Sequence, residues 1–123
     1  MSPPDTTILV VDDHVSFAEA LAFMLDDMPR LHAFAATTIE QAWRTLAEQE
    51  VDVVLLEVDL DSDDGMRFAC QALSEHRGVR VVAVTASEDQ RRLVDAVRAG
   101  VSGWVPKREP VEQAVAAVRG VLR

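Results

Sequence analysis

Several things are scarce in this chain of 123 residues, and each scarcity excludes something. There is a single cysteine, Cys70, so no internal disulfide can form. Lysine and arginine number 12 against 21 aspartates and glutamates, a net charge of −9 that argues against direct binding to nucleic acid or an anionic membrane. No apolar stretch approaches the roughly 20 residues of a membrane span. The opening Met-Ser-Pro-Pro-Asp-Thr-Thr lacks the basic and apolar regions of a signal peptide. Together these absences point to the cytoplasm. The length suits one domain with one core, and neither a domain break nor an internal repeat is visible.

What is present alternates. Residues 1–7 read as a short disordered lead with two prolines, ahead of a single domain over 8–123. Ile8 to Val11 is a continuous apolar run of the kind buried on both faces of a sheet. It ends in Asp12-Asp13-His14, and a helical stripe of Phe17, Ala20, Leu21, Met24, Leu25 and Met28 follows, closed by Pro29. Ala33 to Thr37 is a second, weaker strand. Thr38 to Gln41 fits a capping box before a helix that turns Ile39, Ala42, Trp43 and Leu46 inward. Val53 to Val58 is the third strand, and Gly65 opens a helix with Met66, Ala69, Ala72 and Leu73 as its stripe. Cys70 falls on the apolar side and reads as a small buried hydrophobe.

The fourth strand, Val79 to Val84, empties into Thr85-Ala86-Ser87. Ser87 or Asp89 caps the next helix, which is expected to bury Leu93, Val94 and Val97 and to stop at Gly100. Val101 to Val105 is the fifth strand, followed by Pro106-Lys107. Pro110 starts a last helix with Val111, Ala114, Val115, Val118 and Leu122 on one side. Five strands alternating with five helices predict an α/β fold: a doubly wound five-stranded parallel sheet with helices on both faces. Such sheets carry their sites beyond the carboxyl ends of the strands. The polar residues there are Asp12, Asp13, Glu57, Asp59, Thr85 and Lys107, drawn from four strands to one crevice.

Several carboxylates in one place stay ionised only if a cation offsets them. A hard dication such as Mg²⁺, ligated by oxygens, or the ammonium of Lys107 would serve. Acids, a cation, a lysine and the Thr85 hydroxyl together make a cradle for a phosphoryl group.

The set ILVVDDH, LLEVDLDSDDG, VVAVTA and GWVPK, in this order and near this spacing, resembles the receiver domain of two-component response regulators, a flavodoxin-like fold, over roughly residues 8 to 122. The opening VVDDH resembles the NarL/LuxR branch, whose members usually carry a DNA-binding helix-turn-helix domain after the receiver. The resemblance implies a signalling switch and not an enzyme, served by a sensor histidine kinase and often a homodimer. Position by position it makes Asp12 and Asp13 an acidic pair for Mg²⁺, with the backbone carbonyl of Asp59 as a third ligand. It makes Glu57 the phosphoacceptor position and a fourth member of the metal site, Thr85 the switch hydroxyl, Trp104 the aromatic switch and Lys107 the site lysine.

Three positions depart from that pattern, one being Trp104, where Tyr, Phe or His is more usual. Glu57 stands where the family has aspartate, either naturally or as an engineered phosphomimic, and Asp61 in place of a common proline suggests drift of the whole loop and favours the natural origin. One extra methylene moves the carboxylate on the order of 1 Å outward. In-line attack on a phosphoryl donor tolerates such an error poorly, at a cost of about a hundredfold. The longer side chain is also expected to reach toward Lys107 and Thr85. The expectation is a receiver that is not phosphorylated, or only poorly, with weakened Mg²⁺ binding and Glu57 partly imitating the modified state.

Bland readings stand beside these. Asp12 and Asp13 could be a solvated turn, Trp104 simple packing, and His14 a cap or surface residue. Residues 59–65 imitate an EF-hand opening, but Asp64 stands where glycine is required and Cys70 where the closing glutamate belongs. Two other function classes are a haloacid-dehalogenase-like phosphohydrolase using Asp59 and Asp61, and a degenerate receiver serving as a constitutive dimerisation or ligand-binding module.

Overall fold

The computed structural model describes residues 5–60 and 65–122. Five strands run as β1 (Thr6–Val11), β2 (Leu31–Ala36), β3 (Val53–Leu56), β4 (Arg80–Thr85) and β5 (Gly103–Pro106). They alternate with α1 (Val15–Asp26), α2 (Ile39–Glu48), α3 (Gly65–Glu75), α4 (Gln90–Arg98) and α5 (Val111–Val121). All pairings are parallel, in the order β2-β1-β3-β4-β5. The doubly wound sheet expected from the alternation is what forms. Its strand order reverses beside β1, so a crevice opens between the carboxyl ends of β1 and β3.

Period two divides the sheet between two cores. Leu9, Val11, Val54, Leu56, Val81 and Ala83 face α2, α3 and α4. Ile8, Val10, Val53, Leu55, Val82 and Val84 face α1 and α5. Strands buried on both faces have no polar side to show, which is why β1 and β3 read as unbroken apolar runs.

Element ends differ from expectation for local reasons. β1 starts at Thr6, inside the segment read as a disordered lead. There the Thr6 amide bonds the Arg30 carbonyl and the Thr7 amide bonds the Asp52 carboxylate, at 2.9 and 2.8 Å. Residues 1–4 lie outside the described residues. Thr38 caps α2 by accepting from the Gln41 amide at 3.1 Å. The return bond of the capping box goes one residue further back, from the Thr37 amide to Gln41 Oε1. Asp89, not Ser87, caps α4. Gly100 ends that helix region with φ +98, a conformation glycine adopts without cost.

The helix faces needed correction. α1 buries Ala18, Leu21, Ala22 and Leu25, while Met24 is exposed. α4 buries only Ala96, leaving Leu93, Val94 and Val97 at the surface. Large side chains drew the expected stripes, but a helix lying close on a sheet of valines and leucines presents small residues to it. Cys70 is exposed, off the buried line of Met66, Phe68, Ala69 and Ala72. Among the described residues no helix is long and apolar enough to cross a membrane.

Candidate functional site

Asp12 leaves the end of β1 with only 2% of its surface exposed. Its amide donates to the Ala36 carbonyl at 3.1 Å, so the strand ladder itself fixes where the carboxylate starts. Oδ1 then accepts the His14 amide at 2.9 Å, a tight turn that starts α1. Glu57 follows β3 and is anchored the same way, its amide on the Val11 carbonyl at 2.9 Å. The two acids thus hang from neighbouring strands at the switch point, both buried.

Gly65 holds this end of β3 in place. A Cβ there would lie 2.7 Å from the carbonyl oxygens of both Glu57 and Val58. Only a glycine lets α3 begin against the backbone that carries Glu57.

Lys107 comes from the loop after β5, where its amide bonds the Thr85 carbonyl at 2.9 Å. Its ammonium lies 2.7 Å from Asp12 Oδ2 and 3.3 Å from Glu57 Oε1, with the side chain 13% exposed. It also stands 4.6 Å from the centre of the Phe17 ring, a cation–π contact. One ammonium therefore answers two buried carboxylates and an aromatic face.

Of the residues picked from the sequence, Asp12, Asp13, Glu57 and Lys107 come together. Asp59 turns its carboxylate away, onto the Arg92 guanidinium at 2.7 Å. Its amide stays at the site, donating to Glu57 Oε2 at 3.2 Å. Thr85 is buried at the end of β4, but its hydroxyl accepts the Ser87 amide at 3.1 Å. Glu57 reaches Lys107 and the Asp59 amide, and it does not reach Thr85, because its Oε2 is held by its own loop. Trp104 is half-buried on β5, packed against the core shared with α2, α3 and α4. Asp61 and Asp64, on which the proline substitution, the phosphohydrolase and the EF-hand comparison turn, lie outside the described residues.

Two participants were missed. His14 is the N-cap residue of α1 and its side chain is exposed, both as expected, although the side chain makes no cap bond; its place beside Asp12 and Lys107 was not foreseen. Its Nδ1 lies 3.1 Å from Asp12 Oδ1, 3.8 Å from Asp13 Oδ1 and 3.2 Å from the Lys107 ammonium. The signal was its position two residues after Asp12, where a turn folds the chain back on the carboxylate. Arg92 bonds the Val58 carbonyl at 3.0 Å across 34 residues of sequence, and nothing in the sequence announces it.

The oxygen donors Asp12 and Asp13 suit a hard dication, and Asp12 Oδ2 is a buried atom whose one close neighbour is an ammonium. Asp12, Asp13 and His14 each bring a ligand atom within 4.8 Å of the others. Chemically the pocket can hold a cation, hold an anionic group against Lys107, or close on itself through Glu57.

Comparison with known proteins gives a consistent picture. The family described as the response regulator receiver domain matches residues 8–119. The sensory transduction protein RegX3 of Mycolicibacterium smegmatis is 33% identical over 121 residues, 96% of this chain and 51% of that protein. The response regulator GacA of Pseudomonas aeruginosa is 30% identical over 116 residues, 94% of this chain and 54% of that protein. The chain spans about half the length of these curated relatives. Among solved structures, a CheY-like receiver domain protein from Methanospirillum hungatei superposes with a TM-score of 0.88 at 17% identity, covering 96% of this chain and 94% of its own. A response regulator from Burkholderia pseudomallei, with a phosphorylated aspartic acid and a calcium ion, gives 0.85 at 22%, covering 96% and 71%. At these identities the superpositions speak for the fold alone.

Proposed function

Because this chain belongs to the response regulator receiver domain family, a family of signalling modules and not enzymes, we propose that it is a receiver whose phosphoacceptor position is closed by Glu57. The observation that carries the reading is the buried Glu57 carboxylate 3.3 Å from the Lys107 ammonium. A phosphoryl group bound there would need that ammonium for its own oxygens. Glu57 already uses it, and its second oxygen is held by the Asp59 amide. The arrangement imitates one half of a phosphorylated site, the lysine half, and leaves the Thr85 half open.

Asp12 and Asp13 hold Mg²⁺ in this proposal, with the Asp59 carbonyl beside them, and Trp104 is the aromatic that follows Thr85. Bound Mg²⁺ would offset the carboxylates and the charge of an incoming phosphoryl group. Lys107, at 2.7 Å from Asp12, competes for the same charge, so binding is weakened. The domain sits in the cytoplasm, answers to a sensor histidine kinase, and acts as the input half of a NarL/LuxR-type transcription regulator. The VVDDH opening and the relatives' greater length support that placement. A homodimer is favoured by Leu93, Val94 and Val97, which leave an apolar strip exposed on α4.

A second reading, a constitutive dimerisation module indifferent to phosphate and Mg²⁺, draws on the same Glu57–Lys107 pair. Incubation with a small-molecule phosphodonor and Mg²⁺ tests the closed-site reading. No appreciable label is expected, and stoichiometric phosphorylation of Glu57 overturns it. Mg²⁺ binding without labelling separates the closed receiver from the indifferent module.

A further inference from the structure

Two apolar surfaces are left uncovered, one on each side of the sheet, and their charged borders are of opposite sign. We propose that they cover each other between copies: α4 of one molecule docks into the groove between α1 and α5 of the next, a head-to-tail contact with a second copy of this chain. The inference rests on the reading of the α4 strip as a self-association surface and names what the strip meets.

The strip follows from the composition of α4. Only Ala96 is buried, so Leu93, Val94 and Val97 stand exposed, Val97 at 62%. Arg91 and Arg98 lie one turn to either side of Val94, on the same flank of the helix. The third arginine, Arg92, is engaged with Asp59, and Asp95 is the one acid of the helix. The strip is an apolar ridge with a basic border.

The groove has the opposite border. Phe17, Ala20 and Met24 of α1, with Val105, Pro110 and Val111, line a space of about 90 Å³, room for one valine or leucine side chain. An apolar lining gives water few partners, so an aliphatic side chain suits it. Phe23, 75% exposed, extends the apolar surface along α1. From Val15 to Asp27 there is no basic residue, and Glu19 and Asp27 lie one turn to either side of Phe23. Glu109 lines the groove itself. Among the described residues no ion pair engages Arg91, Arg98, Glu19 or Asp27.

Charge decides how the copies meet. Most homo-oligomers set one surface against itself about a two-fold axis. Strip on strip would gather Arg91 and Arg98 twice, and groove on groove would gather Glu19, Asp27 and Glu109 twice. Strip in groove sets arginines against acids. At physiological salt the Debye length is about 8 Å, so these borders count and the net charge of −9 is largely screened. Ala96 of α4 packs in the core on the Leu9 and Leu56 side of the sheet, and α1 and α5 pack on the Ile8 and Leu55 side. One molecule therefore offers both surfaces at once, and a pair still has one strip and one groove free.

The test is a mixing experiment on the full chain, followed by sedimentation velocity, with circular dichroism to check the fold. Val94→Glu with Val97→Glu spoils the strip, and Phe23→Arg with Met24→Arg spoils the groove; all four positions are exposed. The unaltered chain should self-associate, with a mean mass that rises past the dimer as concentration rises. Each double variant alone should associate at least about tenfold more weakly, the loss expected from centrally placed contacts. Mixed in equal amounts, the two variants should recover a one-to-one complex and stop there, since one strip and one groove remain between them. The single substitutions Val97→Glu and Phe23→Arg repeat the mixing with the least disturbance of the fold. A mixture that forms no complex, or either variant associating alone as the unaltered chain does, overturns the inference. Where only the strip variant is impaired, the strip pairs with itself and the homodimer reading stands. If the unaltered chain stays monomeric, the inference and the homodimer reading both fall and the two surfaces belong to a different protein, while the phosphodonor test of Glu57 is unaffected.

Discussion

Replacing Lys107 with methionine removes the one ammonium shared by Asp12 and Glu57, together with its cation–π contact to Phe17, and keeps an apolar side chain of similar length. At 2.7 and 3.3 Å, and with an effective dielectric of about 20, the two attractions are about 6 and about 5 kcal/mol before desolvation is subtracted. Burial of the ammonium, 13% exposed, offsets much of that sum. What remains in the variant is worse than the loss of attraction, since two carboxylates at 2% and 4% exposure face each other without a cation. Breaking a buried pair by removing one partner costs about 3–5 kcal/mol, which for a domain of this size lowers Tm by about 10–20 °C. Urea unfolding should show the fall in midpoint with an unchanged slope. Adding Glu57→Gln to Lys107→Met should recover about 1–3 kcal/mol, a coupling that independent sites would not show. A Lys107→Met loss below about 1 kcal/mol, or strict additivity in the double variant, would refute the claim that Lys107 neutralises the pocket.

Gly65→Ala should destabilise by about 1–3 kcal/mol in urea titrations, because its Cβ meets two backbone oxygens at 2.7 Å and β3 cannot yield without moving Glu57. Shifts of the Glu57 and Val58 amide resonances should accompany the loss, and an unperturbed spectrum would contradict it. Arg92→Ala frees the Val58 carbonyl and the Asp59 carboxylate. Faster hydrogen exchange at Asp59 and Leu60 is expected, with global stability changed by less than about 1 kcal/mol. Unchanged exchange there would mean that α4 does not tether the loop.

Much of this molecule was legible in its sequence because the sheet is parallel. Strands covered on both faces must be apolar throughout, so Ile8–Val11, Val53–Val58 and Val79–Val84 declare themselves, with the third strand in fact ending at Leu56 and the fourth running Arg80–Thr85. That rule, together with the family resemblance, singled out Asp12, Glu57, Thr85 and Lys107, of which Asp12, Glu57 and Lys107 meet in the structure. β2 shifted by two residues because, at the sheet edge, half its side chains face solvent and the apolar signal is diluted. The inner faces of α1 and α4 were misread where the contact residues are alanines, Ala18 and Ala22 on α1 and Ala96 on α4, which carry little hydrophobic signal, whereas Leu21 and Leu25 were placed correctly. The contacts of His14 and Arg92 went unforeseen for a different reason. Their roles depend on distances set by a turn and by a contact between distant segments, not on residue type. The reach of Glu57 was half anticipated: Lys107 was in range, but the Asp59 amide captured the oxygen expected to approach Thr85.

The central claim is that Glu57 closes the phosphoacceptor position through Lys107. The most direct measurement is the intact mass of the protein and of Glu57→Asp, side by side, after exposure to a small-molecule phosphodonor with Mg²⁺. Shortening the side chain withdraws the carboxylate from the ammonium, so Glu57→Asp should gain the mass of one phosphoryl group while the Glu57 protein stays unmodified. Equal labelling of both proteins, with the group mapped to residue 57, would contradict the account.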